Sequence, residues 1–186
     1  MKMKNDRNSL ISVEQFRELA RPTSMHLEGD EVEAYVREAE DRYIIPAIGY
    51  HFFKVAVGSE QSAWDFSFDG TFRPTILLDG GEWKRKGKNR KETIRYCNGL
   101  RKALAYYTYA VMVRADGAIV TRAGNMRHRD DYSDHVDDSK LREYNDTVSM
   151  AELYLSECLE YMKYHKRPNA TPKAVGTRSR IKAIGD

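Results

Sequence analysis

DSKLREYNDTVSMAELYLSECLEYMKYH, residues 138–165, decides the fold. Leu141, Tyr144, Val148, Ala151, Leu155, Cys158 and Met162 follow one another at alternating steps of three and four residues. A second seam of the same kind runs through residues 92–115, where Cys97, Leu100, Leu104, Tyr107 and Val111 repeat those steps. Seams of this spacing pack helix against helix. They predict two long antiparallel helices, Glu92 to Ala115 and Asp138 to His165, each on the order of 35–40 Å at ~1.5 Å per residue. Folded about a midpoint near residue 127, they set Cys97 opposite Cys158, with both thiols buried and reduced and Asp137 or Asp138 as the N-cap of the last helix.

Working outward, Ser12 with Gln15 three residues later is a capping box. It opens a short helix with Val13, Phe16, Leu19 and Ala20 on one face, stopped by Pro22. A second helix begins near Asp30. Val32, Tyr35, Val36, Ala39, Tyr43 and Ile44 recur at helical spacing, Glu and Arg occupy the opposite face, and Pro46 kinks or ends it. Gly49 to Gly58 reads as a further helical piece. In residues 60–91, Trp64, Phe66, Phe68 and Phe72 alternate around an Asp69-Gly70 turn, and Thr75 to Leu78 reads as a second strand. This predicts a small β-hairpin or an irregular insertion. The connection from Asp116 to Asp137 is much longer than a helical bundle needs. The class is therefore mainly α, a helical bundle. Residues 1–166 form one domain with the 60–91 insertion and the long 116–137 loop, and residues 167–186 form an extended basic tail.

The 186 residues carry a net charge of only +3, unevenly spread. Lys84, Arg85, Lys86, Lys88, Arg90 and Lys91, with Arg95, make a basic block. Asp130, Asp131, Asp134, Asp137 and Asp138 make an acidic stretch, and the tail is basic again. Separated patches of opposite sign suit head-to-tail association of copies, and the basic blocks also suit nucleic acid. No apolar run approaches the ~20 residues of a membrane span. Met1 to Asn8 is polar with no apolar stretch behind it, which predicts no secretory signal.

Catalytic signatures are absent from the sequence: no Gly-rich phosphate loop, no nucleophile elbow, no Cys-x-x-Cys and no His-Glu-x-x-His. Gly80-Gly81 is too short to cradle a phosphate. His128, Asp130, Asp131, Asp134 and His135 are all metal-capable, but nothing in their spacing forces convergence, and a solvated loop is the plainer reading. No cofactor is expected. Tyrosines on the two long helices point in several directions, as they do in subunits with neighbours on more than one side.

The order of pieces resembles a known family. It is carried by Tyr43-Ile44-Ile45-Pro46-Ala47-Ile48-Gly49, Leu77-Leu78-Asp79-Gly80-Gly81-Glu82-Trp83 and the run from Gly99 to Ala110. Asp131-Tyr132-Ser133, Tyr144-Asn145-Asp146 and Ala151-Glu152-Leu153-Tyr154-Leu155 follow. Over residues 10–165 the chain resembles the head–tail connector (adaptor) proteins of tailed bacteriophages, especially those of Bacteroides-like hosts, including the crAss-like group. The resemblance implies a homo-oligomeric ring, commonly twelvefold, docked between the portal protein and other neck or tail proteins, with genomic DNA passing through its lumen. It implies a place in the virion neck, synthesis in the host cytoplasm, and no active site. The contact set would be the 116–137 loop, the basic block and the tail: Arg122, Arg127, Arg129, Asp130, Asp131 and Tyr132, with Arg178, Arg180, Ile181 and Ile184. Two other expectations compete: a nucleic-acid-binding accessory protein using residues 84–95 and the tail, and a small hydrolase or metal enzyme using the His/Asp loop.

Overall fold

The computed structural model describes residues 7–22, 29–58, 67–86, 91–115, 119–121, 124–126 and 136–167. Ser12 opens α1 (Val13–Leu19) with the expected capping box: its hydroxyl accepts from the Gln15 N–H at 3.2 Å, and the Gln15 side chain accepts from the Ser12 N–H at 3.1 Å. The helix α2 (Gly29–Ala39) buries Val32, Val36 and Ala39. Its course does not stop at Pro46. It widens into a π-helical turn over Glu40–Ile44 and continues as α3 (Ile45–Ile48), ending at Gly49 with φ +85°. Pro46 has no N–H to give the preceding turn, and it follows directly on the π-turn, where the Ile45 N–H already reaches the Glu40 carbonyl and the regular ladder is shifted.

Glu40 departs from the expected outer acidic face, because it is fully buried. Its carboxylate accepts from Arg7 at 2.9 Å, from the Ser9 hydroxyl at 2.6 Å and from the Leu10 N–H at 2.7 Å. A buried carboxylate is tolerable only with donors of this kind around it. They fasten the segment before α1 to the end of α2. The next helix, α4 (Tyr50–Gly58), forms where expected.

The insertion is built differently from its reading. Residues 75–78 are not a strand; they lie in α5 (Pro74–Asp79). Proline is favoured at the first helical position, and that preference outweighs the short apolar run. The hairpin lies one segment later. The strands β1 (Gly81–Lys86) and β2 (Glu92–Cys97) pair antiparallel, with Gly81 opposite Cys97 and Lys86 opposite Glu92. The predicted helix from Glu92 therefore loses its first turns. Thr93, Ile94 and Tyr96 suit a strand, and the helix proper, α6, is Leu100–Ala115.

Two glycines make this junction. Gly80 and Gly99 have φ of +93° and +88°. A β-carbon on Gly99 would sit 2.6 Å from the Gly80 nitrogen, and one on Gly80 would sit 2.8 Å from the Cys97 carbonyl oxygen. The chain thus enters and leaves the hairpin through two backbones in direct contact, which only side-chain-free residues permit.

The last helix, α7 (Val136–His165), has 30 residues and is on the order of 45 Å long. Its start at Val136 puts Asp137 and Asp138 inside the first turn, not at the N-cap. α6 and α7 run antiparallel. Asn98 meets Glu157, Tyr106 meets Tyr154, Tyr109 meets Glu143 and Arg114 meets Tyr144. Leu100, Leu104, Tyr107 and Val111 of α6 are buried, as are Ala151, Leu155, Cys158 and Met162 of α7, and the Tyr107 ring stacks on Tyr43 at 4.2 Å. Leu141 is the exception, 59% exposed, because α6 ends near the level of Tyr144. The Cys97 and Cys158 sulfurs lie 3.4 Å apart, both fully buried, although Cys97 belongs to a strand and not to the helix expected of it. Cys158 is pushed well above the ordinary thiol range, first by its hydrogen bond with Cys97 and then by burial, so it keeps its proton.

The long 116–137 connection is not wholly a loop. Within it β3 (Ile119–Thr121) and β4 (Gly124–Met126) pair antiparallel, Ile119 opposite Met126. The whole is mainly helical with small two-stranded antiparallel sheets. α2 packs on α6, and α6 packs on α7. The β1–β2 hairpin leans on α5 and the C-terminal half of α7.

Replacing Leu104 or Leu155 with Ala should destabilise the chain by ~2–5 kcal/mol in urea unfolding, the usual range for a truncated core leucine. Gly99→Ala should cost about 2 kcal/mol or more through backbone strain and collision with Gly80. A Gly99→Ala protein as stable as the parent would show that the glycine contact is not needed.

Candidate contact surfaces

Strand alternation sorts the hairpin into two faces. Trp83 and Arg85 point inward. The Trp83 ring lies 5.4 Å from Tyr161, 5.1 Å from Tyr164 and 5.8 Å from His165, and Arg85 forms an ion pair with Glu160. The Lys86 N–H donates to the Tyr164 hydroxyl at 2.9 Å, which covers that edge of β1. The outer face carries Glu82, Lys84 and Lys86 opposite Tyr96, Ile94 and Glu92. Ile94 is 69% exposed and Tyr96 58% exposed. Lys84 reaches Glu92 at 3.6 Å, and Lys91 is exposed before β2; Arg95, opposite Trp83, is exposed on the other face. Residues 92–96 of β2 are all exposed, so this strand keeps a free edge among the described residues. Exposed edges of this sort invite pairing or contact with another chain.

The structure thus places Lys84, Arg85, Lys86 and Lys91 of the basic block on one hairpin, with Arg85 already paired to Glu160. Lys88 and Arg90 lie outside the described residues. So do Arg122, Arg127, Arg129, Asp130, Asp131 and Tyr132 of the long connection, Arg178, Arg180, Ile181 and Ile184 of the tail, and the His128/His135 cluster. Among the described residues no group of three or more His, Cys, Asp or Glu side chains could hold a metal, and no helix is long and apolar enough to cross a membrane.

A second arrangement escaped the sequence reading. His165, at the end of α7, is 4% exposed and faces Asp69 with its Nδ1, 3.0 Å from one carboxylate oxygen. Thr71 adds a hydroxyl donated to Asp69 at 2.7 Å. The ring is enclosed by Phe72, Trp83, Tyr161 and Tyr164, and its buried Nε2 has no hydrogen-bond partner among the described residues. A His–Asp pair could orient a proton acceptor. Here the hydroxyl nearest the ring, that of Thr71, lies 3.1 Å from Nδ1, the nitrogen that faces Asp69, and not at Nε2. The pair works as a latch, together with the Phe68–Lys166 bridge and the Arg167 N–H donated to the Ser67 carbonyl. It holds the end of α7 against the floor on which the hairpin rests. Asp69 and His165 are 96 residues apart, so no local pattern announces them.

Among the described residues, a cleft of about 430 Å³ opens between α1 and α2. Ile11, Val13 and Val36 line it together with Glu14, Asp30, Glu33 and Arg17.

The sequence matches DUF6712, a family of unknown function, over residues 75–180, more than half of the chain. The chain belongs to this family. The matched region takes in both hairpins, α6 and α7, and leaves α1 to α4 outside it. No curated protein and no solved structure matches the chain.

Burial pushes the Asp69 carboxyl upward, but the Thr71 hydroxyl, His165 and the Thr71 N–H outweigh it and hold the group below its ordinary value. A depressed carboxyl stabilises the fold above its unfolded pKa, and that contribution is lost as pH falls through the folded value. Thermal stability should therefore drop as pH falls below about 4, and Asp69→Asn should show less of that drop. Identical acid profiles for the two proteins would exclude the latch as an acid-sensitive element.

Proposed function

We propose that the protein is a structural subunit of a head–tail connector ring in a tailed bacteriophage. In this reading it docks between the portal and the tail and leaves a lumen for DNA. The observation that carries it is the hairpin's outer face. Ile94 and Tyr96 stand exposed among Glu82, Lys84, Lys86 and Glu92 on a strand whose inner side is fixed by Trp83 and the Gly80–Gly99 contact. A rigid, half-apolar projection with a free edge suits a lasting protein contact. The ordered helix pair behind it suits a load-bearing subunit. The resemblance over residues 10–165 supplies the setting, and the role is mechanical, not catalytic.

A nucleic-acid-binding accessory protein is the second reading, favoured by Lys84, Lys86, Lys91 and Arg95 on one exposed hairpin. Phosphate contacts give strong salt dependence and do not call for an exposed isoleucine.

The deciding experiment is electron microscopy of the purified protein and of virions carrying a tag on it. Rings in the preparation and label at the neck are expected. A tag absent from the particle, together with tight and steeply salt-dependent DNA binding by the isolated chain, would transfer the assignment to the second reading.

A further inference from the structure

Cys97 and Cys158 take no part in the contact surfaces described above. They come from different elements, the foot of β2 and the C-terminal half of α7, and stand 61 residues apart in sequence. Their sulfurs nevertheless lie 3.4 Å apart, and both residues are fully buried. Packing alone asks for a small apolar group at either place and gives no reason for two thiols in contact.

Two further observations bear on what the pair can do. Among the described residues, no group of three or more His, Cys, Asp or Glu side chains could hold a metal, so the two sulfurs have no further ligands to work with. The two thiols also differ in character. The hydrogen bond with Cys158 pulls the Cys97 thiol below its ordinary value, against the effect of burial, and the Gly99 N–H adds to that pull. The same hydrogen bond pushes Cys158 up. Cys97 is therefore the sulfur that gives up its proton first and attacks, and Cys158 is the one that follows.

We propose that Cys97 and Cys158 are an oxidisable pair that closes to a disulfide and staples the foot of β2 to α7. Closure brings the sulfurs to about 2.05 Å, a movement of about 1.4 Å shared between two side chains. The oxidant is a low-molecular-weight disulfide. The Cys97 thiolate attacks one of its sulfurs, forms a mixed disulfide and expels the first small thiol. Cys158 then gives up its proton and attacks the Cys97 sulfur, the mixed bond breaks, and the second small thiol leaves. The two cysteines lose two electrons and two protons, and the two small thiols carry both away. Attack from solution requires the buried root of the hairpin to open locally, so the reaction is slow and follows that opening. A reducing cytoplasm keeps the pair as thiols, and an oxidising exterior closes it. The closed loop holds the whole of α6 and the connection after it, so the bond constrains the unfolded chain while fixing the hairpin root to α7. This chemistry does not depend on the ring reading and holds equally for a chain that forms no ring.

The test is a redox titration of the full-length protein in glutathione buffers, run under native conditions and again in urea. Acid quenching, alkylation and mass spectrometry of the digest read the bond as a cross-linked Cys97–Cys158 peptide lighter by two hydrogens. The native protein should form it at an effective thiol concentration about tenfold or more above that of the unfolded chain, because the fold holds the sulfurs together. By linkage, oxidation should stabilise the fold by the same factor. The thermal midpoint should then rise by at least about 3 °C and fall back on reduction. Cys97→Ala and Cys158→Ala proteins should show no such rise in the same buffers. The parent's titration decides the matter even where an alanine variant does not fold. No disulfide at equilibrium, a reaction that stops at the mixed disulfide, an effective concentration no higher than that of the unfolded chain, or a thermal midpoint unmoved by oxidation would each overturn the proposal.

Discussion

Everything distinctive about this chain depends on the crossing of Gly80 and Gly99. The backbone leaves α5, makes a two-stranded excursion and returns to begin α6 within 2.6 Å of its own departure point, measured from a β-carbon that is not there. That contact fixes where the hairpin starts. Cys97 then meets Cys158, Asn98 meets Glu157, and Trp83 lies over the last turns of α7. Arg101 binds both the Leu10 carbonyl at 3.3 Å and the Asp79 carboxylate, tying the N-terminal segment to the same junction. The hairpin is therefore anchored at its root and along its inner face, while its outer face is left without cover among the described residues.

The rest of the bundle supports this point. α7 supplies one continuous surface, with Tyr144 and Glu143 holding the far end of α6 and Tyr161, Tyr164 and His165 holding the hairpin. The Asp69–His165 latch closes the end of that surface, and the Arg7–Glu40 pair closes the opposite flank beside α1 and α2. Glu40 and His165 are the buried polar members of these joints, where a hydrogen-bonded pair fixes geometry that apolar packing alone leaves loose.

Much of the fold was legible because it is periodic. The alternating steps in 138–165 gave the last helix nearly to the residue, and the Ser12–Gln15 capping box gave the first. The seam in 92–115 misled for a specific reason: Cys97 faces the core from a strand, at a spacing that happens to continue the helical rhythm of Leu100 and Leu104. The break lies at Gly99, with φ of +88°, and the rhythm runs straight through it. Thr75 to Leu78 misled because a short apolar run does not distinguish strand from helix, and Pro74 was the better signal. The basic block was legible as charge and its exposure on one hairpin was not, since pairing registers Lys84 with Ile94 only in three dimensions. Glu40 and His165 were invisible for the same reason: their partners lie 30 or more residues away.

The central claim is that a rigidly rooted hairpin offers its outer face to another copy. Hydrogen–deuterium exchange of the parent protein, compared between dilute and concentrated solution, tests it most directly. The amides of residues 92–96 should gain protection on concentration, while those of the α6–α7 core stay unchanged. No added protection at residues 92–96 would contradict it.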